Sequence, residues 1–286
     1  MERCSPAARR VICWLNGALG PIEDARIDPG DRGFLLGDGI FETLLAVDGA
    51  VRHGPKHLAR LSGAAARLNL STPYPKIEII ATMLRLLHAN QLRKGRAVVR
   101  LTLTRGVGAR GLAPPPHAVT TLLMTASALP PPPQSLRAII SSCIRSENSI
   151  SSQIKSLNYL DNIMARYESS QRGVDEAVMR NSKGNIASAS SANIFVVADG
   201  ALCTPAIGDG ALPGIMRSIV LDAAAGLKIP AHEGPVGPGA LTSASEIFLT
   251  NALIGVCPLI ELDGNPVGTG AMGPVTEKLR LSTNPG

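Results

Sequence analysis

The sequence predicts an α+β protein built as two domains, and three observations carry that expectation. Strand-like runs bracket two helical segments in residues 1–124. A proline-rich stretch, TASALPPPPQS (125–135), then interrupts the chain. Strands and helices alternate again over 136–286.

Each element has a local reason. VICWLNG reads as a strand entering an Asn16-Gly17 turn, and GIFETLLAVDGAVRHG as a hairpin about Asp48-Gly49. PKHLARLSGAAARLNL and PKIEIIATMLRLLHANQL show helical spacing of apolar residues, each opening on a proline. RAVVRLTLTRG and HAVTTLLMTASAL follow as strands. Four consecutive prolines enter neither a helix nor a sheet interior, so 125–135 reads as an extended connector. Beyond it, LRAIISS is a strand and residues 156–172 a helix stopped at Gly173. DEAVMRNSKGNIAS and ANIFVVADGALCTP read as hairpins, and Pro213-Gly214 opens a helix through LDAAAG. SEIFLTNALIGVCPL reads as a strand followed by a loop, with a last helix near 271–282.

Composition narrows the function. A hydrophobic fraction of 45% and a charged fraction of 17% describe a folded soluble chain of 286 residues. The net charge of +6 is gathered in small clusters (Arg3, Arg9 and Arg10; Arg93, Lys94 and Arg96) without interleaved aromatics, which argues against a nucleic-acid partner. Five scattered cysteines with no CxxC pair suit a reducing compartment. His53 and His57 are separated by Gly54-Pro55, which spoils a helical metal pair, so no metal is expected. No apolar run reaches membrane-spanning length and no signal-peptide core follows the basic start, so a cytoplasmic protein is expected.

The segment SSQIKSLNYLDNIMAR (151–166) sets the chemical question. Taken alone, Lys155 ahead of a helix is a solvated surface residue, because burying an amine forfeits its hydration. Its context says otherwise. DRGFLLGDGIFET (31–43), HLARL (57–61), IKSLNYLDNIMAR (154–166), SANIFVV (191–197), LPGIMR (212–217) and FLTNALIGVCPL (248–259) occur in order. Together they resemble the class IV, or fold-type IV, pyridoxal-phosphate enzymes: branched-chain and D-amino-acid aminotransferases and aminodeoxychorismate lyase. The resemblance implies a small N-terminal α/β domain and a larger C-terminal pseudo-barrel domain with flanking helices. It also implies a homodimer, pyridoxal 5'-phosphate as cofactor, and amino acids and 2-oxo acids as substrates.

Residue by residue, the resemblance makes Lys155 the Schiff-base lysine, a role for an amine whose charge is readily suppressed. Arg60 matches the phosphate-binding arginine. Ile215 and Met216 open the helix after LPG, where backbone N–H groups and the helix dipole suit an anion. Thr250 and the Asn251 backbone would add phosphate contacts, and Tyr159 would line the cofactor pocket. Met216 stands where the family usually has threonine, which removes one hydroxyl contact. On the substrate side, Arg110 in TRGVGARGLAPP matches the arginine that D-amino-acid aminotransferases present to the substrate carboxylate. The companion histidine is replaced by Leu112. Arg100 lies where branched-chain enzymes carry a functional arginine, and Phe41 belongs to the same substrate-side group.

One departure bears directly on the chemistry. Ser188 occupies the position of the family's glutamate, the carboxylate that keeps the pyridine nitrogen protonated. A serine hydrogen-bonds that nitrogen but does not hold a full positive charge there, so the electron sink is weaker. The expected function is a PLP-dependent aminotransferase for a D-amino acid or a branched-chain L-amino acid. The pyruvate-eliminating lyase is the alternative within the family. A PLP-binding protein with impaired catalysis is the alternative outside it.

Overall fold

The structure is a computed structural model that describes residues 10–283, so Arg3, Cys4 and Arg9 lie outside the described residues. The chain divides into two compact units, one ending at Pro130 and the other starting at Pro131.

The first unit contains β1 (Ile12–Leu15), β2 (Ala18–Pro21), α1 (Arg32–Leu36), β3 (Gly39–Val47), β4 (Ala50–Val51), α2 (Gly54–Arg67), α3 (Lys76–Ala89), β5 (Arg96–Thr104) and β6 (Thr121–Ala128). Its antiparallel sheet runs β2-β1-β6-β5-β3-β4. Thr125 to Ala128, read from sequence as connector, belong to β6 because they complete the ladder with β5 out to Ala97. The Asp48-Gly49 hairpin forms with φ of 48° and 78°, the doubly left-handed geometry a two-residue turn needs to match strand twist. On β3 the side chains of Ile40, Glu42, Leu44 and Ala46 are buried, and Glu42 meets α2 through His57 and Arg60. Phe41 and Thr43 point to the opposite face.

The second unit contains β7 (Leu136–Ile144), α4 (Ile150–Gln153), α5 (Leu160–Gln171), β8 (Glu176–Arg180), β9 (Ile186–Ala189), β10 (Asn193–Ala198), β11 (Ala201–Thr204), α6 (Ile215–Gly226), β12 (Ala231–Glu233), α7 (Pro238–Thr242), β13 (Glu246–Asn251), β14 (Gly255–Leu262), β15 (Asn265–Pro266) and α8 (Pro274–Thr283). The mixed sheet runs β12-β11-β10-β13-β14-β7-β8-β9, with β15 on β14. β9 ends that order, yet it passes straight into β10 through a turn closed by Ala189 N–H donating to the Ala192 carbonyl at 2.8 Å. The sheet therefore curls on itself into a pseudo-barrel.

Strand alternation sorts the side chains between one inner core and two outer ones. Val178, Ile194, Val196, Ile247, Leu249 and Leu259 join the inner cluster. Phe195, Val197 and Phe248 pack outward against Val220 and Ala224 of α6 and Leu279 of α8. Ile139, Ala177 and Met179 pack outward against Ala165 of α5. Phe195 and Phe248 are register partners whose rings stack at 4.9 Å. Each contributes roughly 2–3 kcal/mol by leaving water.

Three boundaries differ from the sequence expectation. The helix expected from residue 156 begins at Leu160, because Ile154 and Ser156 are buried in the turn that leaves α4, with Lys155 half-exposed between them. The loop expected after FLTNA is β14, paired to β13 through a turn that Asn251 Oδ1 closes by accepting from Leu253 N–H (2.9 Å) and Ile254 N–H (3.0 Å). The last helix starts at Pro274 and not at 271, with proline at its first position.

Helix α5 is anchored to β7 by Glu168, which accepts from Ser141 Oγ (2.7 Å), Ser142 N–H (2.9 Å) and Ser142 Oγ. Hydrogen bonds from Ser141 and Ser142 hold its carboxyl down at about 2. A folded pKa below the unfolded one means the stabilisation is complete above the ordinary value of 4.5 and is lost as pH falls through about 2. Glu168→Gln is therefore expected to lower stability at pH 7 by roughly 1–2 kcal/mol and to flatten the acid limb of a Tm-against-pH curve. An unchanged acid limb would show that Glu168 does not anchor α5.

Candidate active site

The residues that carry the resemblance divide between the units. Phe41, Arg60, Arg100 and Arg110 lie in the first; Lys155, Tyr159, Ser188, Ile215, Met216, Thr250 and Asn251 lie in the second.

In the second unit, Lys155 lies between α4 and α5, and its Nζ donates to Tyr159 Oη at 3.2 Å. Tyr159 is the residue before α5, and its carbonyl accepts from Ile163 N–H at 2.9 Å as the first helical bond. The approach to Lys155 is braced by buried Arg145, which donates from Nη2 to the Ser152 carbonyl (2.7 Å) and from Nε to the Gly210 carbonyl (2.8 Å). Burial lowers the Arg145 pKa, with Tyr159 and Asp161 opposing the shift.

Ser188 is buried on β9 opposite Met179, whose side chain packs on the α5 face. Directly paired residues share a face, so Ser188 points to the outer, α5-covered side. The turn after it is fixed from three directions. Asn162 Nδ2 of α5 donates to the Ser190 carbonyl at 2.7 Å, and Asn251 Nδ2 donates to the Ser191 carbonyl at 3.2 Å. Buried Glu176 accepts from the hydroxyls of Ser190 and Ser191.

Thr250 and Asn193 are register partners two residues beyond Phe248 and Phe195, and hence on the outer face that α6 covers. Gly214 lies so close that a Cβ there would fall 2.0 Å from Asn193 Oδ1, so only glycine admits this approach of the α6 start. The helix has no side-chain cap, which leaves the N–H groups of Ile215 and Met216 as its first donors. The Met216 side chain is buried and brings no hydroxyl. Thr250 Oγ1 is fully buried and, among the described residues, has no hydrogen-bond partner. A buried hydroxyl without a partner costs on the order of 1–3 kcal/mol, and an anion at the α6 start would satisfy it. The Lys155 amine, the Thr250 hydroxyl and the uncapped helix suit a phosphorylated carbonyl cofactor. Met216 and Ser188 are the two departures from that donor set.

In the first unit, Arg60 donates from Nε (2.8 Å) and Nη2 (2.7 Å) to Glu42, and His57 Nδ1 lies 2.8 Å from the same carboxylate. Burial alone would raise the Glu42 pKa, but the hydrogen bonds from Arg60 and His57 outweigh it and hold the carboxyl below its usual range. Glu42 thus fixes the direction of Arg60. On the opposite face of the sheet, the Arg100 guanidinium sits 4.0 Å from the Phe41 ring centre, so those two side chains stack. Arg110 lies on an exposed loop after β5. Sequence reasoning missed Glu42, Arg145, Asn162, Glu176 and Asn193. The signal available was a polar residue inside an apolar strand run, as in GIFETLL and ANIFVV.

Among the described residues, no group of three or more His, Cys, Asp or Glu side chains could hold a metal, and no helix is long and apolar enough to cross a membrane.

A curled mixed sheet with a lysine ahead of α5 and a buried, partnerless hydroxyl beside the uncapped start of α6 is compatible with an enzyme that carries a phosphorylated carbonyl cofactor. Comparison with known proteins specifies it further. The model of the amino-transferase class IV family matches residues 39–262. A candidate branched-chain-amino-acid aminotransferase of Methanocaldococcus jannaschii is 35% identical over 270 residues, covering 93% of each chain. A D-alanine aminotransferase of Listeria monocytogenes is 32% identical over 269 residues, covering 93% of this chain and 92% of that one. The crystal structure of the Escherichia coli branched-chain amino acid aminotransferase superposes with a TM-score of 0.90 at 26% identity, over 96% of this chain and 93% of that one. The chain belongs to the class IV aminotransferases, pyridoxal-phosphate-dependent transaminases of fold type IV.

Proposed function

We propose that this transaminase moves the amino group of a D-amino acid or a branched-chain L-amino acid to a 2-oxo acid, with Lys155 as the covalent anchor of its cofactor. The observation that carries the reading is the buried, partnerless Thr250 hydroxyl beside the uncapped start of α6. Pyridoxal phosphate supplies an electrophilic aldehyde carbon and a ring that takes up electrons. The N–H groups of Ile215 and Met216 and the Thr250 hydroxyl would bind its phosphate. Lys155 Nζ, once freed, takes the α-proton of the amino acid, and Tyr159 Oη, 3.2 Å away, holds the free amine in place during turnover. Ser188 offers the pyridine nitrogen a neutral hydrogen bond, which makes proton removal slower than a carboxylate there would. The expected assembly is a homodimer, which light scattering of the holoprotein checks.

The test is an absorbance spectrum of the holoprotein before and after adding D-alanine and L-leucine separately. Bleaching of the lysine-bound cofactor band by one of them is expected, and identifies which of the two substrate types the enzyme takes. Continuous pyruvate release from aminodeoxychorismate with no amino acceptor present would instead indicate the lyase. A band unmoved by either, together with no pyruvate release, would indicate a binding protein.

The orphaned hydroxyl gives a second expectation. Thr250→Val removes the hydroxyl at nearly constant shape, so the apoprotein should keep its Tm or gain slightly. Its affinity for pyridoxal phosphate should fall about tenfold, the loss of one hydrogen bond to a charged group. Unchanged affinity in a cofactor titration would remove Thr250 from the phosphate site.

A further inference from the structure

The loop after β5 is held by one guanidinium. Arg32, the first residue of α1, is 4% exposed. Its Nη1 donates to the carbonyls of Gly111 (2.9 Å) and Ala113 (3.4 Å), and its Nη2 donates to the carbonyl of Leu112 (2.9 Å). Its own backbone N–H donates to the Gly106 carbonyl at 2.8 Å. Arg32 therefore grips both ends of the segment 106–113, and Arg110 lies within that span. Gly108 packs on the Arg32 stem so closely that a Cβ there would come to 2.7 Å from Arg32 Cδ.

Arg32 is in turn fixed by Asp38, which accepts from Arg32 Nε at 2.9 Å and from Arg105 Nε at 2.7 Å. Burial would raise the Asp38 pKa, but hydrogen bonds from Arg105 and Arg32 outweigh it and keep the carboxyl ionised well into the acid range. Arg105 also donates to the carbonyls of Leu68 (2.8 Å) and Asn69 (3.3 Å) at the end of α2. Residues 109–113 are exposed and lie in no helix or strand. Three consecutive carbonyls turned towards one cation are the loop's main anchorage. A flexible loop left to itself would present Arg110 in many directions, and that freedom would have to be lost whenever a substrate bound.

We propose that Arg32, locked by Asp38, is a positioning residue that sets the direction of Arg110 towards the substrate carboxylate without itself touching substrate. The proposal rests on the reading of Arg110 as the carboxylate contact. Lysine at position 32 would keep a charge for Asp38, but a single ammonium does not reproduce the fork that reaches three carbonyls.

The test uses the holoprotein with whichever of D-alanine and L-leucine it turns over. Arg32→Lys is expected to raise KM about tenfold with little change in kcat, since the group lost acts on binding geometry. Arg110→Ala should raise KM at least as much, and the double variant should be no worse than Arg110→Ala alone. Hydrogen exchange of the amides of 109–113 should quicken in Arg32→Lys while those of β3 and β5 stay protected. Should Arg32→Lys not fold, Asp38→Asn loosens the same clamp and is expected to give the same pattern more weakly. Multiplicative effects in the double variant, or unchanged loop exchange, overturn the proposal. An Arg110→Ala variant with unchanged KM overturns it by a different route. The carboxylate reading then fails, and exchange that still quickens in Arg32→Lys shows that failure to lie in Arg110 and not in the clamp.

Discussion

Lys155→Ala is expected to lose the covalent cofactor band and at least about a thousandfold in transamination rate, because one change removes both the covalent anchor and the proton-transfer group. The fold should be nearly untouched. Lys155 is half-exposed and its amine donates to the Tyr159 hydroxyl, so apoprotein Tm should move by no more than a degree or two. The Thr250 and α6 contacts are intact in this variant, so pyridoxal phosphate should still bind, non-covalently and more weakly. The measurement is a spectrum of the reconstituted variant beside a denatured sample. A band that survives in Lys155→Ala would place the anchor elsewhere in the chain.

Ser188→Glu is expected to act in opposite directions on the apoprotein and on the loaded enzyme. The Ser188 side chain is 5% exposed on the α5-covered face, next to Met179. An unpaired carboxylate there is either desolvated or protonated, and should destabilise the apoprotein by on the order of 3 kcal/mol. With cofactor bound, the new carboxylate gains a pyridinium partner. Much of that stability should return, and transamination should rise about tenfold or more as the ring becomes a better electron acceptor. Apo and holo Tm values and single-turnover rates with D-alanine and L-leucine test both halves. A holoprotein that regains its Tm but reacts no faster would refute the idea that Ser188 limits the electron sink.

Much of the architecture was legible because short-range physics wrote it. The Asp48-Gly49 turn, the two proline-started helices of the first unit and the Phe195–Phe248 strands each follow from residues within one element. The misread boundaries sit where tertiary burial overrides local preference. Ser156 to Tyr159 has helical spacing, yet it stays out of α5 because Ile154 and Ser156 are buried in the turn that leaves α4. β14 looked like a loop since its Gly255 and Pro258 weaken a strand signal, and only pairing with both β13 and β7 makes it one.

The site divides the same way. Lys155, Thr250 and the α6 start could be named from the sequence, since each stands within a short patterned segment. What holds them could not. Asn162 reaches a carbonyl 28 residues away, Arg32 reaches across about 80 residues, and Glu42 meets Arg60 at a separation of 18. The chemical groups available are legible along the chain: one placed amine, a helix start after Pro213-Gly214, a serine where a carboxylate is usual. Which backbone carbonyls and carboxylates fix their directions is settled by the folded contacts alone. Those contacts join residues far apart in the chain, and no local pattern records a partner that the fold brings near only when it closes.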